Sequence, residues 1–211
     1  MVRVKICGIK TFEDARYAVE YGAHALGFVF CESRRRIDPL MAREIIRSIP
    51  PFVMKVGVFM DQDLEYVLSV VDFCGLDAVQ LHGTETPQYC SQFEKLPCQV
   101  IKAFRVKDDG VIDEIKKYKV DAYLLDSWVR GKPGGTGKKF DWDIAKNIVK
   151  KSSRPVILAG GLNEKNVAKA VMEVSPYAVD VSSGVESSGK KDKNKIIRFM
   201  NEVRRINLAI A

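Results

Sequence analysis

Eight short apolar runs, starting roughly 20 to 30 residues apart along the 211-residue chain, constrain its fold more than any other feature. They read VKIC (4–7), ALGFVF (25–30), KVGVF (55–59), AVQLH (78–82), VIKAF (100–104), AYLLD (122–126), PVILAG (155–160) and AVDVS (178–182). Each is rich in Val, Ile, Leu or Phe, as expected of parallel strands covered on their outer face by helices. The spacing is that of one βα unit. Helical periodicity fills the gaps. Leu64, Val67, Leu68 and Val71 share a face within 61–74, with Gly75 as the C-cap. Ala42, Ile45, Ile46 and Ile49 do so within 39–49, behind an Asp38 N-cap and Pro39. Thr11 and Asp14 form an N-cap pair before Ala15, Ala18 and Val19, and 143–149, 164–174 and 192–206 repeat the pattern. No Pro/Ser-rich linker interrupts the series. The reading is α/β: one compact (β/α)8 TIM barrel over residues 1–211. An open doubly wound sheet is the alternative, but it seldom needs eight regular units.

Composition removes other classes. With 46% hydrophobic and 29% charged residues, the chain is neither disordered nor a small disulfide scaffold. No apolar run approaches the roughly 18 residues of a membrane span, and MVRVKICGIK lacks a signal-peptide core. The expectation is a cytoplasmic protein without membrane contact. Five cysteines with no C-x-x-C pair, and two histidines, argue against structural metal or a disulfide framework. The formal charge of +7 is spread among 27 acids rather than gathered with aromatics. It fits a solvated surface that prefers small anions over nucleic acid.

In a barrel the chemistry sits where strands end and βα loops begin. The polar residues there are Cys7, Arg34–Arg36, His82, Asp126, Gly160–Gly161 and Asp180–Ser183. Alternation on the first strand sends Val4 and Ile6 outward and Lys5 and Cys7 inward. Cys7 is then either a small buried hydrophobe or a reactive thiolate beside an ammonium. Asp126 follows four apolar residues and shares inward parity with Leu124, so it caps the next loop or has a function. Gln80 and His82 also share inward parity, His82 as a packed polar residue or a substrate contact. The loop GKPGGTGKK (131–139) is no Walker A loop, since Lys132 takes the first Gly position and Lys139 the hydroxyl position. A glycine-rich lid fits it better. Glycines and small residues after strands 7 and 8 are either plain turns or a phosphate site of the kind barrels build there. The arginine run is either a solvated loop or a clamp for a second anionic group.

Taken in order, VKICGI, GFVF with its arginine-rich loop, VGVF, AVQLHG, LLD before GGTGKKFDW, LAGGL and DVSSGVE resemble the N-(5′-phosphoribosyl)anthranilate isomerase family of tryptophan biosynthesis. The resemblance runs from about residue 3 to 200. It implies a cofactor-free Amadori rearrangement giving 1-(2-carboxyphenylamino)-1-deoxyribulose 5-phosphate, with Asp126 as acid and Cys7 as base. It further implies phosphate contacts at Gly160, Gly161, Asp180, Ser182 and Ser183. The family's Ser-Pro-Arg-x-Ile/Val pattern meets Ser33-Arg34-Arg35-Arg36-Ile37, which selects Arg35 for the anthranilate carboxylate and leaves Arg36 as the alternative. Lys10 departs from the family's usual Thr. The reaction needs a protonated carboxyl and a deprotonated thiol near neutrality, the reverse of their ordinary preferences. Burial would favour the neutral Asp126, and a positive surround including Lys5 would lower the Cys7 thiol. A related phosphosugar barrel and a noncatalytic anion- or RNA-binding barrel are the competing readings, and the oligomeric state is open between monomer and homodimer.

Overall fold

The computed structural model describes residues 1–94, 96–108, 110–127 and 142–209. The glycine-rich lid expected at 131–139 lies outside them. Eight parallel strands close into a barrel in chain order: β1 (Arg3–Cys7), β2 (Ala25–Val29), β3 (Met54–Phe59), β4 (Ala78–Leu81), β5 (Gln99–Val106), β6 (Ala122–Ser127), β7 (Val156–Leu158) and β8 (Ala178–Val181). β8 returns to β1 with Lys5 opposite Asp180. All eight apolar runs are strands. Around them lie α1 (Phe12–Glu20), α2 (Pro39–Arg47), α3 (Leu64–Cys74), α4 (Pro87–Ser91), α5 (Val111–Ile115), α6 (Trp142–Lys151), α7 (Val167–Val174) and α8 (Lys193–Ala209). Among the described residues no helix is long and apolar enough to cross a membrane.

Strand alternation divides the apolar interior into two cores. Outward residues such as Ile6, Leu26, Phe28, Leu81, Leu125 and Leu158 pack under the helices. Inward, Val56, Ala78, Ile101, Ala103, Ala122, Leu124, Ile157, Ala159 and Ala178 fill the lower barrel. Above that floor the inward positions turn polar: Lys5 and Cys7 on β1, Gln80 on β4, Asp126 on β6 and Asp180 on β8.

Local chemistry sets the element ends. Thr11 and Asp14 cap α1 reciprocally, and Asp38 accepts from Leu40 N at the start of α2. α3 starts at Leu64 rather than 61, because Asp61 sits at φ +52° with its carboxylate bound to the Thr84 hydroxyl and amide. α7 starts at Val167 rather than 164, because the side chains of Asn163 and Asn166 accept backbone N–H groups and shape a turn before it. Beyond β8, a 3-10 turn (Ser183–Val185) leads into an antiparallel hairpin of β9 (Glu186–Ser187) and β10 (Lys190–Lys191). Neither the hairpin nor the five-residue helices α4 and α5 carries a periodicity long enough to read in the sequence.

Candidate active site

The C-terminal ends of the strands surround a cavity of about 740 Å³. Cys7, Arg35, His82 and Asp126 line it, and Gly160, Gly161, Asp180, Ser182 and Ser183 line it from β7 and β8. Of the residues singled out in the sequence, Arg36 is not part of the lining. It is exposed, and its backbone is fixed by a bridge to Val29 and a bond from its N–H to Ser33 O (3.0 Å).

On the β1 side, Lys5 Nζ donates to Asp180 Oδ1 at 2.9 Å, both groups being buried. Gly27 makes this possible. A Cβ there would lie 2.8 Å from Cys7 Sγ and 3.0 Å from Lys5 Nζ, so both side chains occupy space above a residue with none. Gly8, at φ +84°, ends β1 in a conformation suited to glycine. A Cβ on it would strike Arg35 Cδ at 2.6 Å. Burial pushes the Cys7 thiol above its ordinary range, and Lys5 and Lys191 draw it back only in part while Asp180 adds to the rise. This differs from the lowered thiol expected from a positive surround. The reason is that burial outweighs the nearby ammonium charge, which Asp180 and Glu186 already neutralise. Burial also works against the Lys5 ammonium, yet Asp180 and Cys7 together hold its pKa above the usual lysine value.

Across the cavity, the buried Asp126 accepts from its neighbour's Ser127 N at Oδ1 (2.8 Å) and meets His82 Nε2 at Oδ2 (3.2 Å). The other ring nitrogen, His82 Nδ1, lies 2.8 Å from Gln80 Nε2. Arg105, opposite Asp126 in the β5–β6 register, completes this wall. Gly160 and Gly161 turn the chain after β7 at φ +83° and +69°.

A polar cluster closes the third side. Glu186 takes a two-point contact from Arg35, through Nε (2.7 Å) and Nη2 (2.9 Å), and further bonds from Lys191 Nζ (2.8 Å) and Arg34 Nη2 (3.3 Å). Burial opposes its charge, but Arg35 and Lys191 hold its carboxyl down at about 2. Lys191 also reaches Ser182 O, and Ser182 Oγ donates to Cys7 O. Among the described residues, no three His, Cys, Asp or Glu side chains converge as a metal site.

The model of the family described as N-(5′-phosphoribosyl)anthranilate (PRA) isomerase matches residues 4–202. The chain belongs to this family. A protein named N-(5′-phosphoribosyl)anthranilate isomerase from Geobacter sp. (strain M21) is 52% identical over 209 residues, covering 98% of this chain and all of that one. The crystal structure of phosphoribosyl anthranilate isomerase from Thermotoga maritima is 42% identical, with TM-score 0.89 over 97% of this chain and 100% of that one. A phosphoribosyl anthranilate isomerase solved with reduced 1-(o-carboxyphenylamino)-1-deoxyribulose 5-phosphate is 40% identical, with TM-score 0.85 and the same coverage. Within this isomerase family member, Arg105 lines the cavity while Glu186 and Lys191 hold Arg35 and Ser182 beside it, and the sequence reading singled out none of the three. Glu186 and Lys191 flank Ser187-Ser188-Gly189-Lys190, and the glycine in that short turn was the available sign of a hairpin.

Proposed function

We propose that this isomerase of tryptophan biosynthesis converts N-(5′-phosphoribosyl)anthranilate to 1-(2-carboxyphenylamino)-1-deoxyribulose 5-phosphate with Asp126 as general acid and Cys7 as general base. The observation that carries the reading is that these two groups, from opposite sides of one barrel, line one cavity whose remaining wall offers the β7 and β8 loops. Asp126 gives a proton to the furanose ring oxygen. The C1′–O bond breaks, and the anthranilate nitrogen lone pair forms a C1′=N bond. Cys7 then removes the C2′ proton, and the released pair forms an enolamine that tautomerises to the C2′ ketone. Protons move and no net electrons do, so proton donors and acceptors suffice.

The sugar phosphate is assigned to the backbone of Gly160, Gly161, Ser182 and Ser183, where small residues let N–H groups approach an anion. Asp180 contributes through Lys5, since its carboxylate is already engaged by that ammonium. Arg35 is assigned to the anthranilate carboxylate in preference to Arg36. Its guanidinium is held by Glu186 beside the cavity, whereas Arg36 is exposed outside the lining. His82 serves the acid rather than the sugar, through its contact with Asp126. Five free, buried cysteines support a reducing, cytoplasmic setting.

The test is steady-state turnover of purified protein, with substrate generated in situ, chelator present and loss of anthranilate fluorescence as the signal. The expected kcat lies within about 1–10³ s⁻¹. Cys7→Ala and Asp126→Asn each lose roughly 10²–10⁴-fold or more. Because burial raises the Cys7 thiol, kcat/KM should climb as the pH passes above neutrality and more thiolate forms. Near-normal turnover in either variant removes that residue's role, and none from folded wild-type protein removes the proposed reaction.

A further inference from the structure

We propose that Glu186 is a positioning residue for substrate recognition: it grips the Nε–Nη2 edge of the Arg35 guanidinium and leaves the Nη1 end set to take the anthranilate carboxylate. The proposal deepens the reading of Arg35 as the carboxylate contact and rests on it.

A guanidinium carries five N–H donors on a rigid plane, with a side edge shared by Nε and Nη2 and an end edge shared by Nη1 and Nη2. Glu186 takes the side edge with both oxygens, Oε1 at 2.7 Å from Nε and Oε2 at 2.9 Å from Nη2. Among the described residues none accepts from Nη1. Arg35 lines the cavity and Glu186 does not, so the engaged edge is the one turned away from the substrate. The stem is fixed as well. A Cβ on Gly8 would lie 2.6 Å from Arg35 Cδ and 3.3 Å from Cγ, so the methylenes run close over that glycine, beside Cys7. The side chain is thus held at two places, and its free donors gather at one end. The ionic states are settled on both sides. Arginine stays protonated, and Glu186, with its carboxyl at about 2, is ionised throughout the neutral range.

Glu186 is itself anchored. Its Oε1 also accepts from Lys191 Nζ (2.8 Å) and its Oε2 from Arg34 Nη2 (3.3 Å), while Lys195 Nζ donates to its main-chain O (2.6 Å). A loose arginine samples many rotamers and must be immobilised when its ligand arrives, whereas one already gripped has lost that freedom on folding. The end edge suits a planar carboxylate, which takes two parallel N–H bonds there. Glu186 alone would repel such a group. Arg34 and Arg35 outnumber it, however, so the cluster keeps a surplus of positive charge for the incoming anion. If Glu186 served only to neutralise its neighbours, its loss would weaken every ligand alike. A positioning role predicts a loss confined to ligands that carry the carboxylate.

Two probes isolate the carboxylate. One is reduced 1-(o-carboxyphenylamino)-1-deoxyribulose 5-phosphate, and the other is its phenylamino counterpart, which lacks the carboxylate. Calorimetric Kd values for the full-length protein at pH 7 give a ratio, phenylamino over carboxyphenylamino, expected at about 10–100 in the wild type. Arg35→Met should bring that ratio to about 1. Glu186→Gln keeps the length of the side chain but not its charge or its second acceptor oxygen, and should lower the ratio at least about threefold. Glu186→Asp keeps the charge but withdraws it by one methylene. It should lower the ratio as well, and it carries the test if the amide variant does not fold. A ratio that stays at the wild-type value, even if both Kd values worsen together, overturns the proposal and leaves Glu186 serving the fold alone. A raised ratio overturns it too, since Glu186 would then compete with the ligand's carboxylate. If Arg35→Met keeps the wild-type ratio, the Arg35 assignment falls and the proposal with it. If only the Glu186 variants keep it, Arg35 stands and the positioning role alone falls.

Discussion

Glu186 gathers Arg34, Arg35 and Lys191 around one carboxylate, and only Arg34 of the three reaches well into solvent. Removing its charge leaves two largely buried cations without their partner, which is costly. Glu186→Gln should destabilise the fold by about 1–3 kcal/mol at pH 7. Because folding depresses this carboxyl from 4.5 to about 2, its contribution is complete above about pH 5 and fades as the pH falls toward 2. Urea midpoints of wild type and variant should therefore lie apart at pH 7 and draw together at pH 3. A gap that stays constant would assign the effect to packing. Residues at this scale were unevenly legible. Cys7, His82 and Asp126 announced themselves because period-2 alternation points them inward from apolar strands. Glu186 did not, because its meaning lies in Arg35, which is 151 positions away in the chain.

At the scale of elements, side-chain caps divide the helices. Thr11 and Asp14 close a reciprocal box on α1, whereas Asp63 at the start of α3 makes no side-chain cap bond. Thr11→Ala should cost about 0.5–2 kcal/mol, and Asp63→Ala should stay within roughly 0.5 kcal/mol. Chemical denaturation of both variants decides it, and equal losses would deny the cap its role. The strands were readable because a parallel strand buried on both faces is a run of apolar residues in the sequence itself. Helices with several turns were readable for a similar reason. α4 and α5 are one turn each, too short for a face to repeat. The β9–β10 hairpin turns through Ser188 and Gly189, both at positive φ, and its polar residues resemble an ordinary loop until Lys191 is seen buried beneath it.

The whole molecule carries a formal charge of +7, and its cavity presents Arg34, Arg35 and Arg105 to a substrate bearing phosphate and carboxylate. Such a field speeds encounter rather than chemistry. Raising the salt from about 10 to about 200 mM shortens the Debye length from roughly 30 to below 10 Å. It should lower kcat/KM several-fold while leaving kcat in place, and a salt-independent kcat/KM would mean that the field does not steer. The closed barrel was legible from eight spaced runs, but the division of its interior into an apolar lower part and a polar upper one emerges only when the strands are aligned. That division has a chemical consequence. Nine side chains from Val56 to Ala178 fill the floor and carry no polar atom, so they offer no relay by which a proton could drain downward. Hydrogen taken from carbon at one wall must be returned to substrate or leave through the mouth. An isomerisation suits such a vessel, because its proton inventory ends each cycle as it began.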